Sequence, residues 1–292
     1  MFWKRIGLFL LTNLVVLLVL GLVVSITGLD TGLGAYGLNL GALLAFSAVF
    51  GFGGAFLSLG LSRWLAKRAF GVVVISPHTT DPQGRWLVDT VARLARNAGL
   101  RSTPEVGVYA SHEVNAFATG PSASRSLVAV STGLLARLNR REVEGVLGHE
   151  VAHIANGDMV TMTLLQGVLN TFVIFLSRVL GFVIGRAVGG RGEGLVRLVA
   201  ILVLQLLFGI LASLVVAAFS RMREFRADAG GARLAGRDAM IGALERLRLH
   251  ASAVDDGMPA YAAMKIHGIP GWMRWFSTHP PLEERIARLN RG

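Results

Sequence analysis

The pentapeptide His149-Glu-Val-Ala-His153 decides how the whole 292-residue chain is interpreted. On a helix, two histidines four residues apart lie on one face, so their imidazoles can converge on one metal ion. Glu150 lies about 100° around the helix from His149, which makes its carboxylate a poor third ligand but a suitable general base for a metal-bound water. The pattern therefore predicts zinc-dependent hydrolysis of peptide bonds. The alternative is a surface helix that carries two unrelated histidines.

The residues around this pentapeptide predict the helix that carries it. That helix extends from Arg140 to Asn156, and Gly157 suits its C-terminal turn. A shorter helix is expected before it, beginning after Ser131-Thr132, which can cap it, and continuing through Leu138.

The composition indicates a membrane protein. Hydrophobic residues make up 53% of the chain and charged residues 16%, and the mean hydropathy is +0.57. Four stretches are apolar and long enough to cross a bilayer, at about Ile6–Thr27, Leu38–Leu61, Val160–Val188 and Leu195–Phe219. The first is too long for the apolar region of a signal peptide and lacks a small-x-small cleavage site, so we expect an uncleaved anchor.

Basic residues predict the orientation of the first two spans. The connection between these spans carries only Asp30 as a charge, whereas cations flank the outer ends of the pair, at Lys4, Arg5, Arg63, Lys67 and Arg68. By the positive-inside rule, we expect both outer ends to face the cytoplasm.

The second hairpin conflicts with the same rule, because its connection is basic. It carries one acid, Glu193, against Arg186, Arg191 and Arg197. Either the hairpin crosses the membrane despite these charges, or it enters without fully spanning. Four spans are favoured, because an even number returns the chain to the side of the zinc motif.

The polar parts of the chain form two blocks, 69–159 and 220–292, each too small or too incomplete to make the site alone. We expect them to fold as one catalytic domain, split by the hydrophobic hairpin at 160–219 and preceded by the hairpin at 1–68. The first block contains a β-rich run and a helical pattern, then three short alternating runs, at Gly71–Ile75, Trp86–Ala98, Glu105–Tyr109, Val114–Ala118 and Leu127–Val130. The predicted fold is an α+β membrane protein, mostly helical, with a small sheet and about four transmembrane helices.

A catalytic zinc normally has three protein ligands and one open position for water, so the chain must supply a third ligand. Glu224 and Asp228 lie four residues apart on a predicted helix after the last hydrophobic stretch. We predict Glu224 as the ligand and Asp228 as the acceptor of a histidine ring N–H, which would fix the tautomer of that ring. The alternative is that both carboxylates pair with neighbouring arginines on a solvated helix. The chain has no cysteine, which excludes thiolate ligands and disulfides.

Taken together, these motifs resemble the HtpX family of bacterial membrane-bound zinc endopeptidases. The resemblance rests on the pentapeptide, the two N-terminal spans and three further segments in the same order, Val114-Asn-Ala-Phe-Ala-Thr-Gly120, Glu224-Phe-Arg-Ala-Asp228 and Thr278-His-Pro-Pro-Leu-Glu-Glu-Arg285. It implies a gluzincin domain in which His149, His153 and Glu224 bind one zinc ion and Glu150 is catalytic. It also implies an enzyme of the bacterial inner membrane, with its site on the cytoplasmic side, that acts in quality control of membrane proteins. The CAAX prenyl endopeptidases are more distant relatives.

Two further segments are candidates for contacts with a substrate. His279, in a rigid Thr-His-Pro-Pro stretch, can donate to the oxyanion of the tetrahedral intermediate, or it merely caps the helix expected near Pro281. The segment that begins at Asn115 and Ala116 alternates like a strand. At a sheet edge it could pair with an extended substrate backbone, whereas an interior strand could not.

The remaining features exclude other classes of function. The net charge of +11 comes from arginines that flank apolar spans, a pattern typical of contact with anionic lipid headgroups rather than nucleic acid. No phosphate-binding glycine loop is recognisable, so no nucleotide partner is expected. A noncatalytic scaffold stapled by zinc would need no base such as Glu150, and a transporter would carry ionisable residues in its spans, which the first two lack. The expected partners are therefore protein substrates, membrane proteins among them, and the lipid bilayer.

Overall fold

The computed structural model describes residues 37–255 and 277–291. Within these ranges the chain is mostly helical and contains a four-stranded mixed sheet, which confirms the predicted α+β class. The predicted span at Ile6–Thr27 and the charges that flank it lie outside the described residues.

The described helices are numbered in chain order. They are α1 Leu40–Phe70, α2 Pro82–Asn97, α3 Thr132–Arg137, α4 Arg140–Asn156, α5 Asp158–Val188, α6 Glu193–Ala235, α7 Arg237–Asp255 and α8 Leu282–Arg291. The strands are β1 Val73–Val74, β2 Glu105–Tyr109, β3 Ala116–Thr119 and β4 Leu127–Ser131.

Three of the described helices, α1, α5 and α6, are long and apolar enough to cross a membrane. Helices α5 and α6 contain the predicted stretches at Val160–Val188 and Leu195–Phe219, and α1 begins two residues inside the stretch at Leu38–Leu61. Helices α1 and α6 extend well beyond the C-terminal ends of these stretches. Helix α6 has 43 residues and continues through the charged segment without a break. Charged side chains end a hydrophobic stretch without ending a helix, because arginine and glutamate are good helix formers.

The chain forms two compact units, the first of which includes residues 37–58 and Thr161–Val216. Its helices pack closely where glycines leave room. A Cβ on Gly51 would lie 2.5 Å from Thr171 Oγ1, and one on Gly181 would collide with Ile201. Small residues at such crossings allow membrane helices to approach each other closely, which favours their association.

The second unit includes Leu59–Val160 and the described residues after Ala217, and its sheet has the order β1-β2-β4-β3. Strands β2 and β4 are parallel, and the two outer strands pair antiparallel with their neighbours. Helices α2 and α4 pack against one face of the sheet, where Leu87, Leu94, Val128, Leu147 and Val151 are fully buried. Among the described residues this order places β3 at an edge, which favours the edge-strand prediction over the interior-strand alternative.

The hydrogen bonds of β3 determine which of its groups face away from the sheet. Ser131 N donates to Asn115 O at 2.9 Å, and Asn115 N donates to Ser131 Oγ at 3.1 Å. Because backbone groups alternate sides along a strand, the N–H and C=O groups of Ala116 and Ala118 point away from β4. These two residues therefore present the open edge of the sheet.

Element boundaries differ from the prediction where side chains or turns intervene. The side chain of Asp81 accepts a hydrogen bond from Gly84 N at 2.6 Å, so α2 begins at Pro82 rather than at Trp86. Gly71 has a φ of 61°, which makes a turn between α1 and β1 and shortens the predicted strand to two residues.

Candidate metal centre

Helix α4 carries the central pentapeptide and has well-defined ends. At its start, Asn139 Oδ1 accepts from Glu142 N at 2.9 Å, and Glu142 Oε2 accepts from Asn139 N at 2.8 Å, which is a capping box. At its end, Gly157 adopts the left-handed conformation with a φ of 68°. The helix is thus fixed at both ends, and His149 and His153 lie buried on one face of it.

Helix α6 brings Glu224 to these two histidines. His149 Nε2 lies 3.1 Å from His153 Nε2, and the Glu224 carboxylate oxygens lie 3.4 Å and 3.3 Å from the two nitrogens. Tetrahedral zinc with bonds of about 2.0–2.1 Å separates its ligand atoms by about 3.3–3.4 Å. The three side chains therefore have the spacing that a zinc ion requires.

The other ring nitrogen of each histidine faces a carboxylate. His149 Nδ1 lies 2.9 Å from Asp228 Oδ1, and His153 Nδ1 lies 2.6 Å from Asp158 Oδ2. A carboxylate only accepts, so each Nδ1 carries a proton and donates it, which leaves the lone pair of each neutral ring on Nε2. With both rings neutral, two lone pairs 3.1 Å apart repel each other, and a proton or a metal ion at this point removes the repulsion. Two imidazoles and one carboxylate are a donor set that suits zinc.

The electrostatics of the site also favour a positive charge at this point. Burial alone would lower the pKa of His153, but its hydrogen bonds to Asp158 and Glu224 raise that pKa to about 9. The pKa of His149 is raised for the same reason, through Asp228 and Glu224. Conversely, hydrogen bonds from the histidines hold the pKa of Glu224 far below its usual range in spite of burial. A metal ion and protons therefore compete for the same nitrogens.

Arg285 on α8 is a part of the site that sequence reasoning missed. It is 6% exposed, and its Nε and Nη2 donate to the two oxygens of Asp228 at 2.8 Å and 2.6 Å. Its Nη1 lies 3.7 Å from Glu224 Oε2. The guanidinium thus lowers the pKa of Asp228, although burial opposes this effect. Nothing in the spacing of Arg285 pointed to this contact.

Asp158 was missed as well. It is the second residue after Asn156, the last residue of α4, and follows the left-handed Gly157, and it is 2% exposed. Gly157 ends α4 in the left-handed conformation, and the side chain of Asp158 directly after it contacts the ring of His153. The sequence did contain a signal for this contact. His153 lies in the last turn of a predicted helix, Gly157 ends that helix, and an acid follows directly.

Glycines allow α6 to approach α4 closely. A Cβ on Gly231 would lie 2.9 Å from His149 N, and one on Gly230 would lie 2.6 Å from Ala152 Cβ. A Cβ on Gly148 would lie 3.0 Å from Ala235 Cβ. The missing side chains let the two helices come close enough for Glu224 and the histidines to share one ion.

The site opens into a cavity of about 130 Å³. The predicted residues His149, Glu150, Glu224, Asn115, Ala116 and His279 all contribute to its wall. Glu150 lines the cavity beside the candidate ligands without being one of them, and Asp228 contacts the other ring nitrogen of His149. The structure therefore brings together the residues that the sequence analysis selected.

His279 contacts a candidate ligand directly. Its Nδ1 lies 2.9 Å from Glu224 Oε2, so Nδ1 must donate this hydrogen bond. Ser277, two residues before His279, is bound to α6, since Arg221 Nη1 donates to Ser277 O at 2.7 Å. Helix α8 begins at Leu282, and its first turn uses Pro281 O as the acceptor for Arg285 N at 3.1 Å. The imidazole of His279 thus contacts the carboxylate of Glu224.

Comparison with known proteins identifies similar sequences and similar solved structures. The model of peptidase family M48 matches residues 82–291. A protease HtpX homolog of Methylacidiphilum infernorum is 51% identical over 99% of both chains, and one of Bacillus licheniformis is 54% identical over 98% of both. A protease HtpX of Shewanella oneidensis is 53% identical over 98% of this chain and 99% of that one. The crystal structure of S. mikatae Ste24p aligns with a TM-score of 0.59 at 18% identity, covering 94% of this chain and 66% of that one. That structure supports the fold alone.

Proposed function

The chain belongs to peptidase family M48 and to its HtpX group, and from this premise we propose that it is a zinc-dependent membrane endopeptidase. Its site residues are His149, His153 and Glu224 as ligands and Glu150 as general base. The observation that carries the proposal is the convergence of two histidine Nε2 atoms, 3.1 Å apart, on the carboxylate of Glu224. A buried group of this kind could hold a metal ion, and Glu150 faces the same cavity.

The proposed reaction is hydrolysis of a peptide bond by water. When bound, zinc would lower the pKa of the attacking water and polarise the scissile carbonyl. Glu150 accepts the proton of that water and delivers it to the leaving amine. Asp228 and Asp158 hold the two imidazoles in the tautomer that presents Nε2. Arg285 in turn holds Asp228, so the chain itself supplies the orientation of the ligands.

We assign His279 as a candidate donor to the oxyanion. Since Nδ1 donates to Glu224, Nε2 is the nitrogen that remains for the substrate carbonyl. A neutral ring protonated at Nδ1 has only a lone pair at Nε2, so the ring must be an imidazolium to donate from both nitrogens. The side chain is 58% exposed, which leaves it accessible to the substrate and solvent.

The open edge of β3 is the proposed binding strand for the substrate. Ala116 lines the cavity of the site, and its N–H and C=O point away from β4. An extended peptide can pair with these groups and thereby place a peptide bond at Glu150. Pairing through the backbone depends little on the side chains of the substrate. Such low sequence specificity suits an enzyme that degrades misfolded or damaged proteins.

The proposed location is the bacterial inner membrane, with the site on the cytoplasmic side. The support is the group of cations at the end of α1, Arg63, Lys67 and Arg68, which the positive-inside rule places in the cytoplasm. The blocks 69–159 and 220–292 then form the catalytic domain, and membrane proteins in quality control are the natural substrates. Arg186, Arg191 and Arg197, at and beside the connection of α5 to α6, require that this hairpin cross against the rule or enter without spanning.

The proposed activity is tested with the full chain in detergent, loaded with zinc. Wild type and Glu150→Gln are compared for cleavage of an unfolded model protein and for zinc content. We expect the variant to keep its zinc and to lose cleavage, because the amide cannot accept a proton. If neither protein cleaves although both hold zinc, the endopeptidase proposal is wrong and a structural role of the metal is favoured.

A further inference from the structure

Two ion pairs fix the last turns of helix α1 to strand β2. Arg63 Nη1 lies 3.2 Å from Glu105 Oε1, and Lys67 Nζ lies 2.6 Å from Glu105 Oε2. Glu105 is the first residue of β2. One carboxylate thus holds two cations that lie about one turn apart on α1.

The same face of β2 continues to contact the chain at the end of α1. Glu105, Gly107 and Tyr109 are alternate residues of the strand and therefore share this face. Gly107 has no side chain, and a Cβ there would collide with Val72. Two residues later, the ring of Tyr109 contacts that of Phe70, with centroids 5.6 Å apart. The end of α1 is therefore fixed along the length of β2.

A third ring extends this contact to the edge strand. The centroid of the Phe117 ring, in β3, lies 5.2 Å from that of Phe70 and 5.6 Å from that of Tyr109. The planes of the rings are tilted by 42° to 52°. These distances and tilts are those that aromatic pairs favour. Three elements that are distant in sequence thus meet in one aromatic cluster, formed by Phe70, Tyr109 and Phe117.

Strand β3 packs against this cluster through Phe117. Ala116 and Ala118 pack on the opposite face, against the main core, where each contributes one methyl group. Only β4 pairs with β3 in the sheet that the structure describes, so one ladder and two small side chains hold the strand. The ring of Phe117 is the large side chain that packs β3 on its other face, against Tyr109 and Phe70.

We propose that Phe70, at the end of membrane helix α1, is a positioning residue that holds the substrate-binding edge of β3 in register with the site through the ring of Phe117. The inference rests on the proposed role of β3 as the strand that pairs with the substrate. It connects the membrane helix to the catalytic site, because the residue that ends α1 determines where the open edge lies relative to Glu150. The peptide-binding step depends on this contact, whereas the metal ligands do not.

The test uses the full zinc-loaded chain and an extended peptide as the probe. Phe70→Ala removes two ring contacts, so we expect KM to rise by about threefold to tenfold, with kcat within about twofold and zinc content unchanged. Phe117→Ala should act in the same direction. The double variant should raise KM by less than the product of the two single effects, since the residues act through one contact.

Two further variants separate positioning from general destabilisation. Phe70→Leu keeps an apolar side chain on Phe117 and should restore most of the wild-type KM. Phe56→Ala is the matched control, because Phe56 lies on the same helix with similar exposure, 45% against 51%, and its ring stacks on Phe52 of α1. It should leave KM unchanged.

Each outcome bears on the proposal. A wild-type KM in Phe70→Ala, together with lost cleavage in Ala116→Pro, would mean that β3 binds the substrate without help from α1, and the inference would fail alone. Equal loss of kcat and zinc in Phe70→Ala would show destabilisation instead of positioning and would also overturn it. If wild type cleaves no peptide while holding zinc, the proposed function itself fails.

Discussion

Arg285 on α8 and Asp228 on α6 form a buried, bidentate ion pair, with N–O distances of 2.8 Å and 2.6 Å. Asp228 Oδ1 lies at the same time 2.9 Å from His149 Nδ1. One carboxylate therefore joins a guanidinium to a candidate zinc ligand. Helix α8 therefore contacts, through Asp228, the ring of a candidate ligand that lies on another helix.

Replacing Arg285 by glutamine should weaken zinc binding by about 10–100-fold, as expected when a partner of a ligating histidine is lost. The change also leaves Asp228 as a buried charge without its cation, which costs about 3–5 kcal/mol of stability. Zinc affinity is measured by competition with a chelator. Arg291→Gln, on the exposed side of the same helix, should leave the affinity unchanged, and an equal loss in both variants would contradict the role of Arg285.

Asp158→Asn should also weaken zinc binding by about 10–100-fold. The amide can present its NH₂ group to His153 Nδ1, which favours the opposite tautomer and removes the lone pair from Nε2. Asp238→Asn is the control, because that side chain is 85% exposed. Zinc affinity equal to that of wild type in Asp158→Asn would show that His153 does not depend on this carboxylate.

The local parts of the site could be predicted from the sequence, because they depend on spacing within one element. His149 and His153 lie four residues apart on α4, and Glu224 and Asp228 lie four apart on α6. Each pair shares a helix face by geometry alone. The helix ends were also predictable, because the glycine after α4 suits a left-handed turn.

The nonlocal parts could not be predicted in the same way. The contacts of Arg285 and Phe70 join elements that are far apart in the chain, and no spacing rule connects them. The edge position of β3 likewise follows from the order of four strands, which one strand's alternation does not reveal. The continuation of α6 to Ala235 could not be predicted from hydropathy, because the apolar stretch ends where the arginines begin.

Gly231→Ala should disrupt the approach of α6 to α4. The added Cβ would lie 2.9 Å from His149 N, and a backbone atom cannot move aside cheaply. We expect a loss of about 1–3 kcal/mol in the free energy of unfolding and a weaker zinc site, because Glu224 moves with the helix. Thermal unfolding and zinc content are the measurements.

Gly242→Ala is the matched control for this crossing. Its Cβ would lie 3.7 Å from Cγ of Glu142, an ordinary van der Waals contact, so alanine should be neutral or should stabilise α7 by about 0.5–1 kcal/mol. If Gly231→Ala behaves like this control, the close approach of the two helices is not required for the site.

Ala116→Pro should reduce cleavage of an extended peptide by about tenfold or more while zinc content stays at the wild-type level. Because the N–H of Ala116 points away from β4, proline removes a hydrogen bond to the substrate without removing one from the sheet. Phe117→Pro is the informative contrast, since the N–H of Phe117 points toward β4 and its loss should destabilise the domain and lower zinc content as well. Cleavage and zinc content are measured together in both variants. Full cleavage by Ala116→Pro would mean that the substrate does not pair with this edge, and lost zinc in that variant would indicate that the strand had misfolded.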